Sequence, residues 1–436
     1  MDFMVFVYLA LAVGTLLISV RLFHDIYSPV AIMGFVWFTL LALYDMRLYP
    51  YHPLKWSTTL DFVTAITMYF LGCSIGRLLV AAGGGEARAA GIDVAEGVDS
   101  VRLRKVIIWL WVIGTLGFLG LFLRIVTLYG VAAFLSAPQL VHDNFSVRFL
   151  GYPWLANLFI PVLSFLYFKK VGKSGLIIGA GVTSLLWLSI SVSRTNIIQA
   201  MFMAIVAASF LGLTRHDIRN LFITGIAAVV FFSLFAFLKD TSHAERLLHD
   251  QFRPKELRLF SSAYGYFTAP IATYEAMKAD QQGLEYGINT FVTGVKVLNL
   301  VGFNLPIPKK PQKSYRTPVR CNVYTFIDVY YKDFGYYGIV ILSFIQGLLV
   351  MVFYSRMKES GCYHLFLVNS VLAWCIFTTF FANHFKDNAF IFECVVGYFI
   401  GKYVVRKGGG VAIAHENVQD SPRGAELPTN RVMGAV

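Results

Sequence analysis

The chain has 436 residues, of which 57% are hydrophobic and 14% are charged, and its formal net charge at pH 7 is +12. Soluble domains are about one quarter charged, so this composition excludes an ordinary soluble protein and indicates an integral membrane protein. The five cysteines show neither CxxC nor Cys/His spacing, which predicts no disulfide framework and no metal site. The positive charge is compatible with nucleic acid, anionic lipid or an anionic substrate as partner, and its position along the chain must decide.

Apolar runs long enough to cross a bilayer, about 17 to 25 residues each, recur as far as position 405. They are apolar on every face rather than alternating, so we predict an all-α polytopic membrane fold with about eleven transmembrane helices. Residues 1–405 form one transmembrane domain in this interpretation, and residues 406–436 form a flexible cytoplasmic tail. The predicted spans begin near Phe3, Pro29, Thr59, Val106, Tyr152, Leu176, Asn196, Leu221, Tyr336, Leu365 and Ala389.

The distribution of Lys and Arg between these spans predicts the orientation. The odd-numbered connections and the start of the tail carry fifteen basic residues, whereas the short joints on the other side carry six. Cytoplasmic connections hold the excess of basic residues in polytopic proteins. We therefore expect the N-terminus outside, the C-terminus inside, and the long eighth connection, residues 239–335, on the extracytoplasmic side.

This long loop is rich in aromatic and apolar residues, which predicts short helices packed on the membrane surface rather than disorder. Residues 288–305 are apolar enough to raise the alternative of a segment that re-enters the bilayer. Lys296 and several Gly and Asn residues in that stretch argue against a complete span.

The last third of the loop contains the basic stretch "PKKPQKSYRTPVR", which includes Arg316 and Arg320 and has no acidic residue. One interpretation is a solvated segment that touches anionic lipid headgroups. The other is a site for phosphate or pyrophosphate, because arginine offers paired donors and a permanent charge.

Arg194 lies in a short turn between two predicted spans, within "SVSRTNII". It is either a snorkelling arginine that reaches lipid headgroups from a helix end, or a fixed cation that meets the phosphates of a lipid-linked substrate. Asn196 and the start of the following helix would add donors for an anion.

Two further motifs carry groups suited to chemistry. The stretch "CNVYTFIDVYYKDFGYYG" offers Asn322, Tyr324 and Asp328 for holding a sugar, and Asp333 either as a helix cap or as a base. The turn "NHFKDN" offers His384, which is either an ordinary turn histidine or a base near neutral pH. Glu393, in the last span, is either a buried polar partner or part of the same site.

These features together resemble the bacterial Wzy-type oligosaccharide repeat unit polymerases of O-antigen and capsule synthesis. The resemblance rests on the many spans with one dominant late loop, the "SRTN" turn, and the "NVYTFIDVYYKDFGYYG" stretch that closes the loop. It implies inverting glycosyl transfer between undecaprenyl-pyrophosphate-linked oligosaccharides at the outer face of the bacterial inner membrane, without a metal or nucleotide cofactor.

Under this resemblance Arg194, Arg316, Arg320 and Arg253 would hold the pyrophosphate, and Asp333 or His384 would act as the base. Membrane lipid would surround the protein, a chain-length regulator and a flippase are the expected protein partners, and nucleic acid is not expected. An O-antigen ligase, which differs mainly in its acceptor, is the nearest alternative. A transporter or flippase of an anionic or lipid-linked glycan is the alternative from a different class, although such proteins place ionisable residues near the middle of the bilayer.

Overall fold

The structure is a computed structural model that describes residues 3–83, 97–131, 151–190, 194–210, 261–308 and 312–405. These residues are mostly helical, and the one sheet that they contain is a two-stranded hairpin. The α-helices are α1 Phe3–Phe23, α2 Pro29–Asp45, α3 Trp56–Ala82, α4 Ser100–Tyr129, α5 Gly151–Leu155, α6 Phe159–Lys170, α7 Gly175–Ile190, α8 Arg194–Ser209, α9 Ser261–Asp280, α10 Val292–Leu300, α11 Asp328–Lys358, α12 Phe366–Phe377 and α13 Asn388–Val404. The strands are β1 Tyr315–Thr317 and β2 Val319–Cys321.

Within these ranges, six helical segments are long and apolar enough to cross a membrane, which confirms the membrane-embedded character predicted from the sequence. They are α1, α3, α4, α11, and the segments Gly151–Lys170 and Tyr363–Phe380, while α2, α7 and α8 are shorter apolar helices. Several predicted starting points coincide with helix starts, for example at Phe3 and Pro29. The count of eleven stays a prediction, and the span expected at Leu221, like the tail after position 405, lies outside the described residues.

Local sequence signals explain where two of these helices begin. Ser28 caps α2 by accepting a hydrogen bond from the backbone N–H of Ala31, and Pro29 occupies the first helical position, where its missing N–H is not needed. Asp99 caps α4 by accepting from the N–H groups of Val101 and Arg102. A carboxylate at this position also interacts favourably with the positive end of the helix dipole.

Helices α3 and α11 approach each other closely, and glycines make this approach possible. A Cβ atom added at Gly347 would lie 2.1 Å from the carbonyl oxygen of Tyr69, and one added at Gly72 would lie 2.1 Å from that of Phe344. The thiol of Cys73 donates to the carbonyl oxygen of Gly347 at 3.4 Å. Small residues at such contacts are typical of helix packing in membranes, where close backbone approach supplies the attraction.

At one end of this pair, charged side chains neutralise each other. Asp25 accepts from the Tyr354 hydroxyl at 2.8 Å and lies 3.1 Å from the Lys358 ammonium. Arg77 pairs with Glu359 at 3.0 Å. Two basic side chains are therefore paired with acids at this end, where α3 and α11 finish.

At the opposite end, α9 packs across the connection between α2 and α3. Its Tyr274 hydroxyl donates to Asp61 in α3 at 2.8 Å, and its Glu275 accepts from the backbone N–H of Lys55 at 2.7 Å. The hydroxyl of Tyr264 donates to the carbonyl oxygen of Leu43 at 2.8 Å. Helix α9, which falls within the range predicted as the long loop, is thus fixed to the end of the helical bundle. The loop as a whole stays a prediction.

Helix α11 is broken at Gly335, where φ is 63° and ψ is −149°. A Cβ atom at Gly338 would lie 2.3 Å from the carbonyl oxygen of Tyr330, and the Tyr330 hydroxyl donates to Gln346 at 2.9 Å. In a straight helix those last two residues would be about 24 Å apart, so residues 328–334 fold back against the rest of the helix. The span was predicted to begin near Tyr336, with Asp333 as a possible cap, whereas the helix begins at Asp328 and turns at Gly335.

Candidate functional site

Three of the motifs singled out in the sequence meet at the end of the bundle that carries α9. The backbone N–H of Phe326, in the "NVYTFIDVYYKDFGYYG" stretch, donates to the carbonyl oxygen of Thr379 at 2.8 Å. Asn383, in the "NHFKDN" turn, donates from its side chain to the carbonyl oxygen of Phe326 at 3.1 Å. Tyr324 donates from its hydroxyl to the carbonyl oxygen of Lys313, just before the hairpin. The structure therefore brings the basic stretch, the sugar-binding candidates and His384 into one region.

The hairpin displays two arginines side by side. Arg316 and Arg320 are directly opposite partners in the β1–β2 register, and both side chains are exposed. Within the described ranges, no carboxylate lies within ion-pair distance of either guanidinium. Like charges directly opposite in a sheet are destabilising unless something between them is negative. The hairpin thus presents a concentrated positive surface that an anion would stabilise.

The other face of the hairpin is anchored to the end of α9. The Asp280 carboxylate accepts from the Lys313 ammonium at 2.6 Å and from the Tyr315 hydroxyl at 2.8 Å. These two hydrogen bonds lower the pKa of Asp280, and burial together with the bond to Asp280 raises the pKa of Tyr315 to about 12. The Asp280 carboxylate is therefore engaged by Lys313 and Tyr315. Tyr315 and Arg316 are successive residues of β1, so their side chains lie on opposite faces of the hairpin.

The three sugar-binding candidates differ in their exposure to solvent. Asn322 is exposed directly after β2. Tyr324 is buried, with the Lys332 ammonium 4.4 Å from its ring centre. Asp328 is buried and pairs with Lys332 at 3.1 Å. Of the three, Asn322 is the one whose side chain faces solvent.

Asp333 is fully buried and its carboxylate is occupied. It accepts from the backbone N–H and the side-chain amide of Asn289, at 3.2 and 2.8 Å, and from the backbone N–H of Thr290 at 2.6 Å. Backbone bonds from Glu285 to Lys332 and from Tyr286 to Asp333 join the same two segments. In this structure the carboxylate fastens residues 285–290 to α11, whereas the sequence analysis offered it as a helix cap or a base.

His384 has a different environment. Its Nδ1 lies 3.1 Å from a carboxylate oxygen of Asp387, and its Nε2 is buried without a hydrogen-bond partner in the described part of the chain. A carboxylate at Nδ1 favours the tautomer in which Nδ1 carries the proton and Nε2 has a free lone pair. A general base needs a free lone pair of this kind.

The residues around the start of α10 connect the surroundings of the two candidate bases. Thr290 donates to Asp333, as described above, and three residues later the hydroxyl of Thr293 lies 2.7 Å from the carbonyl oxygen of Lys386 and 2.5 Å from the side-chain oxygen of Asn388. A short run of residues therefore connects the broken helix α11 to the "NHFKDN" turn. No pattern in the sequence indicated this role for Asn289, Thr290 or Thr293.

No match was found among protein-family models, curated proteins or solved structures. The resemblance to Wzy-type polymerases accordingly stays a prediction from the sequence. The described residues contain no group of three or more His, Cys, Asp or Glu side chains able to hold a metal ion.

The remaining candidates are placed only in part. Arg194 begins α8, although its side chain lies outside what the structure describes, and Arg253 lies outside the described residues altogether. Glu393 is buried in α13 and accepts from the side-chain amide of Gln199 at 2.7 Å, which makes it a polar link to α8. Gln199 and Asp387 are partners that the sequence analysis missed. Asp387 lies three residues after His384 in the quoted turn, so that spacing was the available signal.

Proposed function

We propose that this protein is a polysaccharide polymerase that joins oligosaccharide repeat units carried on undecaprenyl pyrophosphate. A hydroxyl of one lipid-linked repeat unit attacks the anomeric carbon of the growing glycan. The new glycosidic C–O bond forms as the bond from the anomeric carbon to the pyrophosphate oxygen breaks. A base removes the proton of the hydroxyl, and undecaprenyl pyrophosphate leaves with the electron pair.

The observation that carries this proposal is the exposed pair Arg316 and Arg320. A pyrophosphate leaving group without a metal needs fixed cations where its charge develops. Two guanidinium groups on adjacent strands match two adjacent phosphates, because each can donate two parallel hydrogen bonds to one phosphate. Arg194 and Arg253 are proposed as further contacts on the ground of the family resemblance alone.

We assign the base to His384 in preference to Asp333. The Asp333 carboxylate already accepts three N–H donors, so its lone pairs are largely used. The Nε2 atom of His384 has no such partner among the described residues, and Asp387 holds the opposite ring nitrogen. Asp387 is thus proposed as a positioning residue that also stabilises the protonated ring. Asn322, exposed beside the hairpin, is the proposed contact for the sugar next to the pyrophosphate.

Deleting the gene in its host and examining the surface glycan by gel tests this function. The polymerase proposal predicts that single repeat units reach the final carrier and that a plasmid copy restores the ladder. Full-length polymer retained on the lipid carrier would instead identify a ligase. Loss of all surface glycan with repeat units trapped inside would identify a flippase, and either outcome would overturn the proposal.

The same complementation tests the arginines. We expect the double variant Arg316→Gln, Arg320→Gln to be inserted normally and to restore no ladder. Arg104→Gln is the control, because Arg104 is also exposed but lies near the start of α4, at the end of the bundle where Val98 pairs with Val405 and which is remote from the hairpin. A normal ladder from the double variant would remove the hairpin from the site.

A further inference from the structure

The segment from position 284 to 307 is unusually apolar for a connection at the end of the bundle. Its 24 residues include two charged ones, Glu285 and Lys296. The later part, residues 297–307, exposes large apolar side chains, with Leu300 at 85% and Val301 at 74% of full exposure. Val297, Phe303, Leu305 and Ile307 are exposed as well. A contiguous apolar surface of this kind marks a contact with a partner or with lipid.

The position of the segment favours lipid. It is fastened to α11 through Lys332 and Asp333, and a side-chain carbon of Leu284 lies 3.7 Å from the Cβ position of Gly335. Directly after that glycine, α11 turns exposed apolar side chains outward at Tyr337, Ile341 and Ile345. Because α11 is long and apolar enough to span a bilayer, these side chains face lipid. The apolar segment therefore begins beside the lipid-facing surface of a spanning helix.

The backbone of residues 298–305 is also suited to an apolar environment. The side-chain amide of Asn299 donates to the carbonyl oxygen of Leu305 at 2.9 Å, and its oxygen accepts from the Leu305 N–H at 2.8 Å. The N–H groups of Val301 and Phe303 both donate to the carbonyl oxygen of Leu298. Backbone polar groups in hydrocarbon must be satisfied internally. Several backbone groups of this turn are paired internally in that way, and its large apolar side chains are exposed.

We propose that residues 297–307 form a loop that inserts into the hydrocarbon of the adjacent bilayer leaflet. Helix α10 has nine residues and is about 14 Å long, so the loop dips into one leaflet and does not cross. Seven residues separate Ile307 from the hairpin at Tyr315, a distance of at most about 28 Å for eight extended steps. Insertion would hold the hairpin near the membrane surface. This inference concerns a lipid contact and does not depend on the proposed glycosyl transfer.

Spin-label accessibility tests the insertion directly. The full chain, with its five cysteines replaced by serine or alanine, receives one label through Leu300→Cys and is reconstituted into phosphatidylcholine–phosphatidylglycerol vesicles. Collisions with oxygen, which concentrates in hydrocarbon, are compared with collisions with a water-soluble nickel chelate. Gln282→Cys, exposed just before the segment, is the aqueous control, and Ile341→Cys on α11 is the hydrocarbon control.

We expect the Leu300 label to resemble the Ile341 label, with oxygen collisions several-fold more frequent than nickel collisions. A label that resembles the Gln282 label would place the loop in water and overturn the proposal. An immobile label with few collisions of either kind would show that protein covers the loop, which also overturns it.

A second measurement keeps the native cysteines in case the replaced chain does not fold. Lipids with a photoactivatable group in the acyl chain are cross-linked to the otherwise native protein, and the labelled peptides are identified by mass spectrometry. We expect cross-links within residues 297–307 and their loss in the double variant Leu300→Asp, Val301→Asp. Absence of cross-links in the native chain, with α11 labelled normally, would contradict the insertion.

Discussion

At the scale of single residues, hydrogen bonding separates two side chains that the sequence could not rank. Asp333 and His384 were equal candidates for the base because both are ionisable residues in polar motifs next to spans. The structure shows the Asp333 carboxylate saturated by Asn289 and Thr290, and His384 oriented by Asp387 with Nε2 unpartnered in the described part of the chain. Asn289 and Thr290 lie more than 40 positions before Asp333, so residue types alone could not reveal this contact. Asp387 lies in the same turn as His384, and its spacing of three residues was the available signal.

His384 and Asp387 are expected to act as one unit. His384→Gln should lower the rate of polymer formation by about 10²-fold to 10⁴-fold, the usual contribution of a general base. Asp387→Asn should lower it less, and the double variant should be no slower than His384→Gln, because Asp387 acts through the ring. Rates of ladder growth in membrane vesicles measure this. If the two rate reductions instead multiply in the double variant, Asp387 does not act through His384.

Asp333 is expected to matter for stability. Asp333→Ala leaves the buried donors of Asn289 and Thr290 without an acceptor, and each lost partner should cost about 1–3 kcal/mol. The thermal midpoint of the purified protein in detergent should fall clearly. The midpoint of Asp333→Asn, which keeps one acceptor oxygen, should fall by less. Loss of activity in Asp333→Asn with an unchanged midpoint would instead assign a chemical role to this carboxylate.

At the scale of elements, hydrophobicity predicted the helices well and the connections poorly. Long apolar runs located helices such as α1 and α2, because burial in lipid leaves a helix as the conformation that satisfies its own backbone. The cap Asp99 was not used in the prediction, and α4 begins at Ser100 rather than near Val106. The break at Gly335 and the hairpin around Pro318 were not predicted. Both depend on contacts with distant residues, Gln346 and Asp280 respectively, which no local pattern encodes.

The glycine contact between α3 and α11 gives a prediction at this scale. Gly347→Ala places a methyl group against the backbone of Tyr69, so the two helices must separate. We expect the free energy of unfolding to fall by roughly 2 kcal/mol or more, which is typical of overpacking at a rigid contact. Gly179→Ala in α7 is the matched control, since its Cβ position has no atom within 4 Å. Thermal unfolding in detergent compares them, and equal midpoints would show that α3 and α11 can separate freely.

At the scale of the whole molecule, ion pairs occur at both ends of the bundle, and the two hairpin arginines stand apart from them. Arg77 and Lys358 pair with acids at one end. Lys278 and Lys332 do so at the other end, where Arg316 and Arg320 have no acidic partner in the described part of the chain. The formal charge of +12 suggested an anionic partner, and the sequence offered the basic stretch as one candidate site for it. The pairing of Arg316 with Arg320 across two strands required the fold.

The central claim is that this end of the molecule transfers glycan from undecaprenyl pyrophosphate without a metal. The most direct measurement incubates the purified protein in lipid vesicles with EDTA and lipid-linked repeat units isolated from the deletion host. We predict a ladder of polymers with matching release of undecaprenyl pyrophosphate, both reduced at least about 100-fold in the Arg316→Gln, Arg320→Gln variant. No ladder from the intact protein, or an undiminished ladder from that variant, would contradict the account.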